Sequence, residues 1–400
     1  MIDKDVERPE NRTRSTPRWF APVVIVLLSL LAGYAHRERA LDWDLLAYVG
    51  CAEELRGGSP AEVHGAAYAS LDSLASVEDA ARLCGGPDSG LDVRVQRYRQ
   101  GVADDPAAFS AQLPFYRGRV LFVGTLALAA ASGTNVMHAA FLIALLSGLA
   151  FALVVVRWVT LHLAPMAAVS VAAGAIVLTD APRVMATGTP DMLASALLVG
   201  AAYLLVETQR RTLGCLLLVL AVATRADHAL LAGALLAWLA ITTPADRRPS
   251  SRWFVLAIAS LVVTTWFCTA GRGSYGWWTV FHHSFFEYEL FPPASTPPRD
   301  IGFGAAHTLN SMPMFLALRP LVFTLCGLLA VALGWRARRW KSDGGRLAAF
   351  TLVAVANHFA LFPALWPRLM LPYWTLCLIA LCMAWTERTA REAQATDPAA

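Results

Sequence analysis

The stretch MHAAFLIALLSGLAFALVVV, Met137–Val156, decides the class of this chain. It runs 20 residues without Asp, Glu, Lys or Arg. As an α-helix it would extend ~30 Å, the thickness of a bilayer's hydrocarbon core. Similar runs recur at Trp19–Ala35, His162–Thr179, Pro190–Val206, Trp253–Ala270, Pro313–Gly334, Arg346–Phe362 and Arg368–Trp385. Of the 400 residues, 56% are hydrophobic and 16% charged, against about 25% charged in a soluble domain. The composition excludes a soluble globular enzyme and predicts an all-α polytopic membrane protein. A net charge of +4 gives no electrostatic case for nucleic acid as a partner.

Charge orients the spans. The tail 1–18 carries Lys4, Arg8, Arg12, Arg14 and Arg18, and short basic segments stay cytosolic. Three later basic loops, ETQRRT (207–212), PADRRPSSR (244–252) and WRARRWK (335–341), share that side. Parity then requires two short helices around TRADH (224–228), and leaves the short run Val120–Ala131 in-plane or re-entrant. The expectation is about ten spans, with long extracytoplasmic segments at 36–118 and 271–312 and a cytosolic tail at 386–400. On this reading DWD (42–44), TDAPRVMATGTPD (179–191), TRADH, the 271–312 loop and FPALWPR (362–368) all emerge on the outer face. Ionisable groups near a membrane core are costly and usually functional.

The 36–118 segment reads as helical. Leu45, Tyr48, Val49, Ala52 and Leu55 make an apolar stripe at helical spacing, and Ser76 with Asp79 makes a capping pair closed by Gly85 and Gly86. Cys51 and Cys84 fall in this segment, where an oxidising compartment would allow a disulfide.

Asp42 and Asp44 pose the functional question. One acid suffices to cap the helix that follows. Two, at a membrane edge beside other polar loops, suggest a general base or a metal ligand, with Asp44 the stronger candidate. Arg225, Asp227 and His228, at a break between short helices that would line a wet cavity, are candidate substrate-binding residues together with Tyr48; the structural alternative is an internal Arg225–Asp227 pair tying two helices. His282, His283 and Glu287 lie in YGWWTVFHHSFFEYELF (275–291) and are candidate metal ligands, but their spacing matches no metal signature, and an interfacial aromatic belt is the favoured reading of the stretch.

DWDLLAYVGCAEELRGG (42–58) resembles the first outer loop of the polyprenyl-phosphate-sugar-dependent (GT-C) glycosyltransferases: an acid, an aromatic four residues on, a small residue and a glycine turn, here Asp44, Tyr48, Ala52 and Gly57. The resemblance implies that Asp44 is the catalytic base. Many members carry a second acid next to the first; here that position is Leu45, which leaves the partner role to Asp42, Glu53 or Glu54. Asp191, in ATGTPDMLASALLVGAAYLL, matches a second family acid, with a helix cap as its alternative. Arg368, in WPRLMLPYWTLCLIAL, matches a residue that contacts the lipid phosphate. Arg183 and Arg225 are further candidates for that phosphate. The implied partners are a polyprenyl-phosphate-sugar donor, an extracytoplasmic acceptor and the bilayer of a bacterial inner membrane, with inversion at the sugar and, in some members, a divalent metal ion. A transporter or lipid flippase, and a non-catalytic assembly subunit, are the competing functions; the first should show internal repeats, and none is visible.

Overall fold

The computed structural model describes residues 17–87, 89–208, 210–243, 249–271, 273, 275–293, 301–336 and 342–396. The first membrane-length helix, α1 (Phe20–Arg37), leads into six helices of the first long segment. These are α2 (Trp43–Leu55), α3 (Pro60–Asp72), α4 (Val77–Cys84), α5 (Val93–Asp104), α6 (Pro106–Gln112) and α7 (Pro114–Arg117). Next come α8 (Val120–Ala131), α9 (Val136–His162), α10 (Pro165–Leu178), α11 (Ala181–Met185) and α12 (Pro190–Tyr203), the last prolonged by a π turn to Thr208. The chain continues through α13 (Arg211–Thr224), α14 (Ala229–Thr242), α15 (Ser251–Ala270), α16 (Trp277–Phe285) and α17 (Ile301–Ser311). It ends with α18 (Leu318–Arg336), α19 (Asp343–Leu361) and α20 (Pro367–Thr396). No strand occurs among the described residues.

Seven helices are long and apolar enough to cross a membrane: α1, α9, α12 with its π turn, α15, α18, α19 and α20. The chain is thus a helical multi-pass protein. The expected ten spans also counted α10, α13 and α14. All three are apolar helices, but at 14 residues each they reach only ~21 Å. The basic loop segments 244–248 and 337–341, the tail 1–16 and most of the PPASTPP loop lie outside the described residues.

The 27 residues of α9 reach ~40 Å at 1.5 Å per residue. At its start, the Asn135 carboxamide accepts from the backbone N–H groups of Met137 and His138 and donates to Ser73 in the first long segment. At its end, Trp158 Nε1 donates to Glu207 Oε1 at 2.9 Å, with His162 Nε2 3.0 Å from the same oxygen. The ETQRRT segment and the 36–118 segment therefore sit at opposite ends of one helix.

Two apolar cores follow from this layout. One is built by the long helices around α9, α12, α19 and α20, with Phe323 stacked on Trp374 at 5.3 Å. The other packs α2 to α8 against the first turns of α9. α2 lies in the middle of that second core. Leu45, Leu46, Tyr48, Val49, Cys51 and Ala52 are all buried, so the helix is enclosed on every face rather than along one stripe. Leu55, assigned to the stripe, is instead 65% exposed, because α2 ends there and its last turn clears the core. Ser76 caps α4 through the N–H of Asp79, and Gly85 closes it at φ 73°, a left-handed conformation that favours glycine. Cys51 and Cys84 are both free thiols. Cys51 is buried against the Leu113 carbonyl, 3.5 Å away, so the possible disulfide is not made.

Candidate functional site: two arginines, four aspartates and a tyrosine pair

Asp42 occupies the N-cap position of α2 and Asp44 its first turn, yet neither side chain caps the helix. Both turn to an arginine 324 or more residues away. Arg368 Nη1 donates to Asp44 Oδ2 at 2.7 Å and to Asp42 Oδ2 at 3.1 Å. The capping alternative therefore fails for Asp44, while Asp42, at the cap position, adds to its bond with Arg368 a contact with the Asp44 backbone N–H. Arg368 is the second residue of α20, after Pro367. Pro372, four residues on, lacks the N–H that would hold Arg368's carbonyl, which loosens the turn carrying the guanidinium. Trp366 supports the guanidinium from below, 5.5 Å away. The Nε and Nη2 of Arg368 make no hydrogen bond to any described residue.

The Tyr116 hydroxyl donates to Asp44 Oδ1 at 3.1 Å. Tyr116 packs edge-on to Tyr48 at 5.3 Å, and the Arg119 guanidinium lies over both rings. Burial opposes the charge on Asp44, but Arg368 and Arg119, with the Tyr116 hydroxyl, outweigh it and hold its carboxyl below the ordinary value of 3.8. Asp42 moves the other way. Burial and the neighbouring charge of Asp44 raise its carboxyl, against the pull of Arg368. Two carboxylates on one guanidinium nitrogen are thus driven apart in acidity, Asp44 staying ionised and Asp42 taking a proton more readily. Both keep access to solvent, with side-chain exposures of 21% for Asp44 and 35% for Asp42.

A second constellation adjoins the first. Arg225 forms an ion pair with Asp191, and its Nε and Nη2 fork onto the Asp227 carboxylate at 3.1 and 3.2 Å. Asp191 also accepts from Thr189 Oγ1 at 2.7 Å and is 1% exposed. It sits in the first turn of α12, where the N-cap position belongs to Thr189, so its helix-cap alternative fails too. The structural alternative for TRADH, an internal Arg225–Asp227 pair, is present, with Asp191 as a third member. Tyr48 joins the halves: Arg119, Asp44, Arg225 and Asp191 all act on its hydroxyl, whose acidity burial suppresses. The loops are clamped together by Ala40 N–H donating to Ala186 C=O at 2.9 Å. Gly188, at φ 63°, lets the TGTPD turn lie against Phe141 and Leu45.

Described residues of the 271–312 loop reach α6 of the first long segment. Gln112 Nε2 donates to Leu290 C=O at 2.7 Å and Glu289 C=O at 3.1 Å, and the Tyr275 hydroxyl to Ala111 C=O at 3.0 Å. All five segments expected on one face therefore gather at one end of the molecule.

Other candidates fall elsewhere. Arg183 is 69% exposed and 3.6 Å from Asp180, so it does not reach the aspartate cluster; Arg319 shares Asp180 at 2.9 Å. Glu53 and Glu54 are taken by Arg56 and Arg117, leaving Asp42 as the second acid beside Asp44. His228 is fully buried, with both ring nitrogens unpartnered, 6.2 Å from Tyr373, whose hydroxyl is also unpartnered. The metal candidates do not converge. His283 stacks on Phe115 at 4.5 Å and burial pushes its imidazole down to about 4, His282 faces Phe286, and Glu287 is exposed. No three His, Cys, Asp or Glu side chains are grouped for a metal among the described residues. Where two carboxylates do meet, a guanidinium already lies between them. These residues do not fit a divalent ion.

Tyr116, Arg119 and Thr189 escaped the sequence reading. FYRGR (115–119), an aromatic-basic cluster just before an apolar run, was the available signal for the first two. No family model, curated protein or solved structure matches this chain.

Proposed function

We propose that this chain is a GT-C-like membrane glycosyltransferase that moves a sugar from a polyprenyl-phosphate donor to an acceptor hydroxyl on the outer side of a bacterial inner membrane. The observation that carries the reading is the meeting of Asp42 and Asp44 with Arg368 across the length of the chain. A helix cap does not account for that arrangement, and base-catalysed transfer from a phosphate can use both its acids and its arginine.

Asp44 is the base. Its carboxyl stays ionised, is partly open to solvent, and is aimed by Tyr116 on one oxygen and Arg368 on the other. It removes the acceptor's proton as the acceptor oxygen bonds to the sugar's anomeric carbon. The bond from that carbon to the phosphate oxygen breaks, its electron pair leaving with the polyprenyl phosphate. As a single displacement this inverts the anomeric centre. Arg368 holds both acids through one nitrogen, so its remaining N–H edge is free to receive phosphate oxygens. Asp42, whose carboxyl is raised, can carry the proton onward. Arg225 with Asp191 and Asp227 fixes the loops that build the wall behind Tyr48. A cavity of about 740 Å³ opens between α14 and α15. Ala229, Gly233, Ala237 and Ala240 line one side and Phe254 and Trp266 the other. It begins at Ala229, the residue after the TRADH break, where a prenyl chain could lie with its phosphate near the charged cluster.

Cells lacking the protein should accumulate a polyprenyl-phosphate sugar and lose the glycan it supplies. An unchanged lipid-linked sugar profile would refute the reading.

A further inference from the structure

Arg368 and Arg225 each already hold two carboxylates, so neither is an unneutralised cation. Two other guanidiniums border the acid pair without an ion pair to any described residue. Arg119 spends one N–H on the Phe115 carbonyl and lies 6.0 and 5.8 Å over the rings of Tyr48 and Tyr116. Arg99 donates to the Arg82 carbonyl at 2.8 Å and lies 5.7 Å over Trp43. Arg119 is half-buried, beside Asp44, and fixed from below by aromatic faces that leave its other N–H groups unspent. A guanidinium supported in this way presents a planar fork suited to two oxygens of one phosphate.

We infer that Arg119 is a phosphate seat of the site, beside Asp44 and its partner Arg368, with Arg99 extending the positive edge on the Asp42 side. The ligand class is a phosphate ester; that it is the phosphate of a prenyl lipid rests on the function proposed above. The base is thus bonded to one guanidinium and lies within the field of a second, whose ring support Tyr116 is bonded to it. An arriving phosphate would draw on both, weakening their hold on Asp44 and making it a stronger base only when donor is bound.

The test uses the full chain in nanodiscs, with three probes: a polyprenyl phosphate, the corresponding free polyprenol, and inorganic phosphate. Wild type should bind the lipid phosphate in preference to the polyprenol. Arg119→Gln should lose at least about tenfold in that affinity, from lost charge-assisted hydrogen bonds, with polyprenol binding unchanged and Arg119→Lys recovering part of the loss. Thermal unfolding of each variant reports that the fold is kept; if Arg119→Gln is unstable, Arg119→Lys and Arg99→Gln carry the comparison. Binding of lipid phosphate by a folded Arg119→Gln within twofold of wild type overturns the inference, while the donor reading stands. Equal loss of phosphate and polyprenol also overturns it, by making Arg119 a packing residue. Binding of inorganic phosphate alone, lost in Arg119→Gln, keeps the seat and removes the lipid donor. No binding of any probe by wild type removes both.

Discussion

Replacing Arg225 by Met tests whether the buried half of the cluster is an ionic structure. Arg225 is 9% exposed and its partner Asp191 1%, so neither charge can turn to water. Asp227, at 30%, can partly rehydrate. The cost of Arg225→Met therefore falls mainly on Asp191, stranded with only Thr189 as donor. Breaking a buried pair by removing one partner costs about 3–5 kcal/mol. Asp191→Asn should cost less, about 1–3 kcal/mol, because Arg225 keeps its fork on Asp227. The double variant no longer buries an unpaired carboxylate, and should be no less stable than Arg225→Met alone. Equilibrium unfolding in mixed detergent micelles, followed by tryptophan fluorescence, would give all four corners of the cycle. Arg225→Met within about 1 kcal/mol of wild type, or fully additive single effects, would refute the reasoning.

Three further outcomes follow from the geometry. Asp44 has its carboxyl lowered, so its ionised form contributes to stability above the ordinary 3.8, and both that contribution and the base function disappear as pH falls through its folded value. Transfer should therefore be level from about pH 5 upward on the acid side, and Arg119→Gln should move the acid limb to higher pH; an unmoved limb in a folded variant would contradict this. Asp42, with its carboxyl raised, acts in the opposite sense: its ionised form opposes folding above its folded value, and protonation relieves that. Tyr373→Phe removes a buried hydroxyl without a partner and should leave stability within about 1 kcal/mol or raise it; a larger loss would show a bound water or ligand at that hydroxyl. Reducing agent should change neither gel mobility nor unfolding temperature, since Cys51 and Cys84 are free.

The fold was legible where its cause is local. Apolar run length marked every one of the long helices, and Ser76 with Gly85 marked both ends of α4. The encounter of Asp42 and Asp44 with Arg368 was legible through loop sidedness, because charge in short loops fixes which ends of spans share a face. The rest depends on packing. Nothing local tells that α2 is enclosed on all sides, that Arg183 turns to Asp180 beside Arg319 rather than to the acid cluster, or that Glu54 is spent on Arg117. The histidines stayed open as metal candidates beside the favoured aromatic belt, because imidazoles stacked on aromatic rings and imidazoles bound to metal look the same as letters.

The most direct measurement is sugar transfer by purified Asp44→Asn, with Asp42→Asn and wild type beside it, from a labelled polyprenyl-phosphate sugar to the envelope acceptor. Removal of a general base costs about 10²–10⁴-fold. The account predicts a loss of that order for Asp44→Asn with donor binding retained, and a smaller loss for Asp42→Asn. Transfer by a folded Asp44→Asn at the wild-type rate would contradict it.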